Sequence, residues 1–336
     1  MGSFLIMQIN EKYKVLIVGC GNIGGRFDFD FYDNFLPQTH AGAYLNHKGF
    51  EISACIDPDT KRGSELAKKF KIPNFYNDFE SIFATYNSFD VISICSPTKD
   101  HFESIKQSLK LRPRLIFCEK PISYSLEDAK AIKSICESAN VPVLVNLSRR
   151  FDSRIIDLKE KISNNLLGEL RTVIGIYNKG ILNNGIHMID LIKYLFTEIK
   201  IINVGNPIKD FLDIDPTISI LMETKDKVPI YIGTSRAFDY SLFELQLVFS
   251  EIAISIEDGG QMWRERKVIE SSKFRDYKCL NKGEFSRGGD SMSMINAIEN
   301  IYGYLSIGEK LKCTIDDAIS AQIFCEEVKI KSIYKS

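Results

Sequence analysis

The stretch from Lys14 to Val145 alternates between short apolar runs and helix-like stretches, and this alternation limits the possible folds more than any other feature. Amphipathic stretches such as Lys61–Phe70 and Leu126–Ala139 separate the apolar runs. The runs are rich in β-branched residues, as buried parallel strands are. They lie at Val15–Val18, Glu51–Ile56, Val91–Cys95, Leu115–Cys118 and Val143–Val145. Strands that alternate with helices predict an α/β fold, a doubly wound parallel sheet with helices on both faces.

The pattern changes after Asn146, where strand candidates follow one another without helices between them. Several alternate apolar and polar residues, as Glu244–Leu247 does, which predicts a largely antiparallel sheet with one covered face. The candidates are Arg171–Tyr177, Ile218–Met222, Pro229–Gly233, Phe243–Phe249 and Ile252–Glu257. Helices are predicted over 290–307 and 314–332. We therefore expect two domains, 10–145 and 146–336, with a C-terminal helix that is able to pack back on the first.

The overall composition excludes several classes of function. A net charge of -1 gives no electrostatic basis for binding nucleic acid or an anionic membrane surface. No apolar run approaches the ~20 residues that span a bilayer. The eight cysteines form no Cys-x-x-Cys pair and the four histidines are isolated, so we expect reduced, buried thiols and no metal site. The first residues lack the cationic start of a signal peptide, which predicts a cytoplasmic protein.

A glycine-rich turn directly follows the first predicted strand. In this pattern the first glycine permits a tight turn, the second lets a pyrophosphate approach the backbone, and the third allows close helix–strand packing. The N-terminus of the following helix offers oriented N–H groups to the anion. We predict that the turn binds a dinucleotide through Gly19, Gly21, Asn22, Ile23 and Gly24, so that 10–145 is a dinucleotide-binding domain. The alternative is a glycine turn that binds nothing.

Asp57 ends the second predicted strand, where a carboxylate can accept hydrogen bonds from an adenosine ribose. This position favours NAD over NADP, because a carboxylate repels a 2′-phosphate. Lys61 and Arg62 lie close by and could neutralise a phosphate, so NADP is not excluded. A solvated first helical turn is the simpler interpretation of these two basic residues.

More residues separate Gly24 from His40 than a first helix running straight through would need. The inserted segment Phe27–Asn34 is acidic and aromatic, and it is expected to emerge beside the cofactor cleft because the helix begins there. It is interpreted either as a flap over the cofactor or substrate, or as a surface or subunit-contact loop.

Glu119, Lys120 and Pro121 follow the apolar run Leu115–Cys118. A lysine at the mouth of a buried strand is costly to desolvate, so its pKa is easily lowered and it can exchange a proton. Proline restricts its own backbone and that of the residue before it, which aims Lys120. The alternative is an ordinary solvated lysine at a strand exit.

His187 lies near the start of an apolar helix that runs to Phe196, with Asn183 four residues before it. Residues four apart share one helix face. A histidine titrates near neutral pH and therefore suits general acid–base chemistry. A structural role for a single helix histidine is the alternative.

These elements occur in one order along the chain, and together they strongly resemble the Gfo/Idh/MocA oxidoreductases, which are named after glucose–fructose oxidoreductase and inositol dehydrogenase. The resemblance rests on the glycine turn, Asp57–Asp59, Ser96–His101, Glu119–Pro121 and the helix around His187. It covers nearly the whole chain. It implies a Rossmann domain joined to an α/β domain whose open, mostly antiparallel sheet serves substrate binding and subunit contacts, in a homodimer or homotetramer.

The resemblance also implies roles for individual residues. Lys120 and His187 are expected at the nicotinamide, where they position the substrate and relay its hydroxyl proton, with a cis bond between Lys120 and Pro121. Arg150 and Asn178 are candidates for gripping a polar or anionic substrate, with a salt bridge as the alternative for Arg150. The residues expected to line the cofactor are Ser96, Pro97, Thr98, His101 and Glu119, together with Lys120.

One residue departs from the pattern, since many relatives carry an aspartate where this chain has Asn183. An amide can bind a sugar hydroxyl but cannot accept a proton. Asn183 is therefore expected to contact the substrate, and Lys120 and His187 remain as the acid–base pair.

The expected function is reversible hydride transfer between NAD(H) and a hydroxyl or keto carbon of a sugar, sugar nucleotide or cyclitol. The enzymatic alternatives are reduction of a non-sugar substrate and recycling of a tightly held cofactor between two sugars. A non-catalytic protein that senses NAD or a sugar is the alternative from another class.

Overall fold

The computed structural model describes residues 12–30, 36–289 and 292–333 of the 336-residue chain. They divide into two compact units. The first contains the described residues up to Glu119, with Ala131–Leu144 and Ala297–Leu311. The second contains Lys120–Lys130, the described residues of Val145–Asn296, and those from Lys312 onward. The chain therefore crosses between the units more than once, and one crossing lies between Leu144 and Val145.

The first half of the chain alternates strands and helices as predicted. The strands are β1 (Tyr13–Val18), β2 (Phe50–Ile56), β3 (Phe75–Tyr76), β4 (Val91–Ile94), β5 (Leu115–Cys118) and β6 (Val143–Val145). The helices are α1 (His40–Asn46), α2 (Thr60–Phe70), α3 (Phe79–Phe83), α4 (His101–Leu109) and α5 (Leu126–Ser138).

The strands of this half form one sheet in the order β3-β2-β1-β4-β5-β6. β1 pairs in parallel with β2 on one side and with β4 on the other. The strand order reverses between β1 and β4, and open sheets of this kind bind ligands beyond the carboxyl ends of the strands at such a reversal. The predicted doubly wound fold is confirmed, and its reversal point lies where Gly19 follows β1.

The first helix differs from the prediction. An α-helix does not continue from the glycine turn, and α1 begins only at His40. The backbone N–H groups of His40 and Ala41 donate to the carbonyls of Ile23 and Gly24, at 3.1 and 3.0 Å. The insertion is therefore an excursion out of the first helical turn, which α1 rejoins by hydrogen bonds. Residues 31–34 of the inserted segment lie outside the described residues, so the flap stays a prediction.

The second half of the chain is built mainly from strands. Its helices are α6 (Ser153–Ser163), α7 (Ile186–Phe196), α8 (Ser293–Ile307) and α9 (Ile315–Ile333), and a turn of π-helix covers Ile181–Gly185. Its strands are β7 (Leu170–Tyr177), β8 (Ile199–Val204), β9 (Ile208–Leu212), β10 (Asp215–Thr217), β11 (Ile220–Thr224), β12 (Pro229–Thr234), β13 (Phe243–Phe249), β14 (Ile252–Glu257), β15 (Met262–Glu270), β16 (Lys278–Leu280) and β17 (Glu284–Arg287).

The larger sheet of this half has the order β16-β15-β14-β13-β7-β12-β11-β8, with β17 also paired to β15. The pairing of β7 with β12 is parallel, and the other pairings of resolved register are antiparallel. Leu245 and Leu247 of β13 are buried while Glu244 and Gln246 are partly exposed. The predicted mostly antiparallel sheet with one covered face is confirmed. β9 and β10 form a separate hairpin.

The C-terminal helices belong to different units. Most of α8 lies in the first unit, where Tyr302 packs against Tyr13 and Arg114 donates to the carbonyl of Leu305. α9 lies in the second unit and packs against α7. The helix that belongs with the first unit is therefore α8, and the last helix is part of the second.

Each unit has its own apolar core. The central strands of the first sheet are buried on both faces, and Ile17, Ile92 and Ile116 have no exposed surface. Burying one such side chain stabilises a fold by about 1.5–3 kcal/mol. Seven of the eight cysteines are buried as expected, and Cys279 is exposed. Within the described ranges, we find no helix with the length and apolar character that crossing a membrane requires.

Candidate functional site

The glycine turn has the geometry of an anion cradle. Gly19 has a φ of +97°, in the left-handed region that favours glycine, and a Cβ there would meet the backbone of Ser96. A Cβ at Gly24 would overlap the carbonyl oxygen of Gly19. At Gly21 a Cβ would meet nothing within 4 Å. Two glycines are therefore required by packing, and the third faces open space that a pyrophosphate can approach.

Asp57 supports this turn from the end of β2. Its carboxylate is buried and accepts a hydrogen bond from the backbone N–H of Cys20 at 2.8 Å. It also accepts one from Asp59 at 2.9 Å, and it pairs with the guanidinium of Arg62 at 3.1 Å. Arg62 is therefore an ion-pair partner of Asp57, where we had expected a solvated side chain.

The loop after β4 is held by its own histidine. Pro97 precedes a short 3-10 helix over Thr98–Asp100. The buried ring of His101 makes a 2.9 Å hydrogen bond to the carbonyl oxygen of Ser96. His101 thus holds the backbone that is predicted to line the cofactor.

Glu119 has a buried partner that sequence reasoning missed. Its Oε1 lies 2.9 Å from Nε2 of His40, whose ring is completely buried against Phe117. Glu119 therefore fastens the end of β5 to the start of α1 in the first unit. His40 is the first residue of α1, and no local pattern in the sequence connects it with Glu119.

Lys120 opens the second unit and reaches a distant turn of it. Its Nζ donates to the carbonyl oxygen of Asn183 at 2.7 Å, across 63 positions of sequence. The bond between Lys120 and Pro121 is cis, as the resemblance implied. The lysine is half-buried. It is thus a held cation, and the alternative of a solvated strand-exit lysine does not describe it.

His187 lies in the same unit on α7 and is buried. Burial lowers its pKa well below 6.5, and the positive charges of Lys120 and Arg149 lower the pKa further. Its Nδ1 has no hydrogen-bond partner among the described atoms. The imidazole is therefore neutral at neutral pH and able to accept a proton.

Asn178 and Asn183 hold backbone in this structure. Asn178 is completely buried, donates to Ser235 Oγ and the carbonyl of Tyr240, and accepts from the N–H of Leu242. The side chain of Asn183 donates to a carbonyl four residues earlier, at 3.1 Å. In this structure Asn178 supports the segment 235–242, and its contact with a substrate stays a prediction.

Arg150 is committed to a buried ion-pair cluster. Two of its nitrogens contact the carboxylate of Asp190 at 2.8–3.1 Å, and Nη1 lies 2.9 Å from Asp317. The Asp190 side chain is almost fully buried. Because leaving either charge unpaired in the interior is costly, this cluster ties α7 to α9. The salt-bridge alternative therefore describes Arg150 in this structure.

The β9–β10 hairpin supplies a further residue that the sequence did not suggest. Asp215 is completely buried, and its carboxylate accepts hydrogen bonds from the backbone N–H groups of Leu182 and Asn183, each at 2.8 Å. Asn183 is also the residue whose carbonyl receives Lys120. Asp215 therefore orients the turn that joins Lys120 to α7 and His187.

The second unit thus brings a held ammonium and a neutral imidazole to one turn. An ammonium can donate to a substrate oxygen and an adjacent neutral imidazole can accept its proton. Among the described residues no group of three or more His, Cys, Asp or Glu is arranged to hold a metal ion. The chemistry available to these residues is proton transfer and stabilisation of negative charge on oxygen.

Residues 13–147 match the family model for Gfo/Idh/MocA proteins, described as an oxidoreductase family with an NAD-binding Rossmann fold. The chain is 28% identical over 158 residues to D-apiose dehydrogenase of Rhizobium rhizogenes, covering 47% of this chain and 41% of that protein. It is 23% identical over 215 residues to D-glucoside 3-dehydrogenase of Escherichia coli, covering 58% and 57%. The matches thus span about half the length of these relatives.

Solved structures share the fold over nearly the full chain. Levoglucosan dehydrogenase in complex with NADH superposes with a TM-score of 0.78 and covers 97% of this chain and 98% of its own, at 14% identity. At that identity the likeness concerns the fold. The predicted two-part architecture is confirmed by it.

Proposed function

We propose that this chain is an NAD-dependent oxidoreductase of a sugar-like substrate, because its residues 13–147 match the NAD-binding Rossmann model of the Gfo/Idh/MocA oxidoreductase family. The reaction is hydride transfer between nicotinamide and a hydroxyl or keto carbon of a sugar, sugar nucleotide or cyclitol. The observation that carries the proposal is the hydrogen bond from Lys120 to the carbonyl of Asn183, in the same turn that leads to His187.

The residues of the chain divide the work of such a reaction. Bound NAD+ would supply the hydride acceptor, with its pyrophosphate over the turn from Gly19 to Gly24. Lys120 donates to the substrate oxygen and stabilises the negative charge that develops there. His187 accepts the hydroxyl proton, because its lowered pKa keeps the ring neutral at neutral pH. In the reverse direction the same histidine returns the proton.

We expect the enzyme to prefer NAD+ to NADP+ by about tenfold or more in kcat/KM, because Asp57 and Asp59 neutralise Arg62. An Arg62→Ala variant should retain activity with NAD+ and lose most of its residual activity with NADP+, since Arg62 is the cation that could meet a 2′-phosphate. Steady-state rates with both cofactors test this, with Lys68→Ala, at an exposed lysine in the last turn of α2, as the control. Preference for NADP+ in the wild type would contradict the assignment.

Asp215→Ala is expected to lower kcat about tenfold, because the turn that receives Lys120 loses both of its carboxylate hydrogen bonds. The dissociation constant for NADH should stay within about twofold, since none of these contacts belongs to the first unit. Turnover and NADH fluorescence titration check the two expectations. Asp213→Ala on the same hairpin is the control, because that carboxylate is 84% exposed. An unchanged kcat in Asp215→Ala would remove the positioning role.

The resemblance also supports a homodimer or homotetramer in which the open face of the large sheet forms the contact between subunits. Ile174 and Tyr231 lie opposite each other in the pairing of β7 with β12 and are 40% and 50% exposed. Apolar side chains at neighbouring positions of an open sheet face suit a subunit contact.

The proposal is tested by following NADH formation with NAD+ and a panel of sugars, cyclitols and nucleotide sugars, and by the reverse reaction with keto sugars. Turnover with any member supports it.

Asn183, in place of the aspartate of many relatives, favours a second candidate, a non-catalytic protein that senses NAD or a sugar. NADH binding without turnover across the panel would select that candidate. Cofactor that survives purification, with no need for added NAD+, would instead indicate recycling between two sugars.

A further inference from the structure

A polar cavity of about 450 Å³ opens in the second unit beside the turn that leads to His187. Its volume is within the ~300–1,000 Å³ that small-molecule sites usually have. Its wall is formed by the start of β13, by the segment that joins β14 to β15, and by Arg149 and Asn184. Neither Lys120 nor His187, the two residues assigned to the reaction, is part of this lining.

Two lining residues connect the cavity with the acid–base pair. Asn184 follows Asn183, whose carbonyl receives Lys120, and it lies in the π-helical turn that runs into α7. Arg149 is near enough to His187 for its charge to lower the pKa of that histidine. The cavity therefore shares part of its wall with the turn that receives Lys120 and leads to His187.

The cavity carries an excess of negative charge. Three carboxylates line it, from Glu244, Glu257 and Asp258, against the one guanidinium of Arg149. Burial and the charges of the other two carboxylates raise the pKa of Glu244. Glu244 and Glu257 are partly exposed, and Asp258 is exposed. They can accept hydrogen bonds from hydroxyl groups, and they repel a phosphate.

The guanidinium of Arg149 is already held by the protein. Nη2 donates to the carbonyl of Gly259 at 2.6 Å, Nη1 donates to Ser148 Oγ at 2.9 Å, and the group stacks over the ring of Phe243. Binding a phosphate in the bidentate way would require two guanidinium N–H groups that donate in parallel to its oxygens. The side chain of Met262 is 40% exposed at the wall and offers an apolar surface to the C–H face of a sugar ring.

From this lining, and on the premise of the proposed oxidoreductase function, we infer that the cavity binds the non-reacting part of an uncharged glycoside. Hydroxyl groups of that part donate to Glu244, Glu257 and Asp258. The enzyme accordingly selects neutral glycosides and discriminates against sugar phosphates and nucleotide sugars. The carboxylates are partly exposed, so water and salt screen them and the discrimination is expected to be about tenfold to a hundredfold.

Matched probes that extend glucose at one oxygen test the inference. Gentiobiose and glucose 6-phosphate extend O6, and methyl glucoside and glucose 1-phosphate extend O1. We expect kcat/KM to be at least about tenfold higher for the neutral member of the pair that the enzyme accepts. The double variant Glu257→Gln/Asp258→Asn should narrow this ratio at least about fivefold, through a higher KM for the neutral glycoside with kcat little changed. Glu270→Gln, an exposed carboxylate of β15 away from the cavity, is the control.

The thermal shift of the protein with NADH separates failure of this inference from failure of the proposed function. If no probe is turned over, a neutral glycoside that raises the Tm of wild type but not of the double variant still supports the cavity, while the proposed reaction fails. Preference for the phosphorylated member, in rate or in Tm, overturns the inference and leaves the oxidoreductase function standing. An unchanged ratio of the kcat/KM values in the double variant also overturns the inference. The absence of any Tm shift with the neutral probes has the same meaning.

Discussion

Replacing Lys120 by alanine is expected to lower kcat at least ~100-fold while NADH binding changes little, because removing one donor to a developing oxyanion typically costs that much. The ammonium is held by the carbonyl of Asn183 at 2.7 Å, so its position does not depend on the substrate. Steady-state turnover and NADH fluorescence titration of Lys120→Ala measure the two quantities. The contact belongs to the second unit, whereas the glycine turn and Asp57 belong to the first, so cofactor affinity is a fair test of intact folding.

Two further measurements make the Lys120 result specific. Added ethylamine should restore part of the lost rate, since a small cation can occupy the place of the missing side chain. Lys225→Ala is the matched control, because Lys225 is an exposed lysine of the same unit with only a surface ion pair to Glu198. Full activity in Lys120→Ala would refute the assignment of this lysine to the reaction.

His187→Ala is expected to lower kcat for alcohol oxidation by at least ~100-fold, because the substrate hydroxyl then loses its proton acceptor. The wild-type pH profile supplies a second readout. A histidine base works in its neutral form, and burial with the neighbouring positive charges holds the pKa of His187 well below 6.5. As pH falls, kcat/KM should therefore stay level through 6.5 and decline only below it.

The control for the histidine is His47→Gln. His47 lies in the first unit, partly exposed and paired with Glu299 at 3.1 Å, so its replacement should leave both rate and pH profile unchanged. An acid limb of the wild-type profile at or above pH 6.5 would show that another group accepts the proton. Turnover in His187→Ala comparable with that of wild type would likewise show that another group accepts the proton.

The doubly wound sheet could be predicted because its strands are short, continuous apolar runs, and burial on both faces demands such runs. The first helix could not be predicted correctly. Its start at His40 depends on hydrogen bonds to Ile23 and Gly24 across the insertion, and no local pattern reports a bond between residues that far apart. The strands of the second half were predicted from period-two alternation, which burial of one face imposes.

Within the candidate site, residue type alone identified the side chains suited to acid–base chemistry. It did not identify the role of residues that depend on their partners. Lysine and histidine side chains can donate or accept a proton at a reacting oxygen, and the structure brings Lys120 and His187 to one turn. An arginine or asparagine has many uses, and only its partners decide among them. Arg150 has Asp190 and Asp317 within 3.1 Å, and Asn178 has three hydrogen bonds inside the fold. Asp215 was missed because its partners are backbone N–H groups, which carry no sequence signal.

The sequence by itself determined the class of fold, the glycine turn and the identity of Lys120 and His187, the two residues proposed for the reaction. Hydrophobic periodicity, the steric freedom of glycine and the chemistry of lysine and histidine are local properties, and a sequence displays them directly. Tertiary structure alone decided that Lys120 is held by Asn183, that Asp215 orients this turn and that His187 is neutral. Those outcomes depend on burial and on charges brought together from distant positions, and they exist only once the chain has folded.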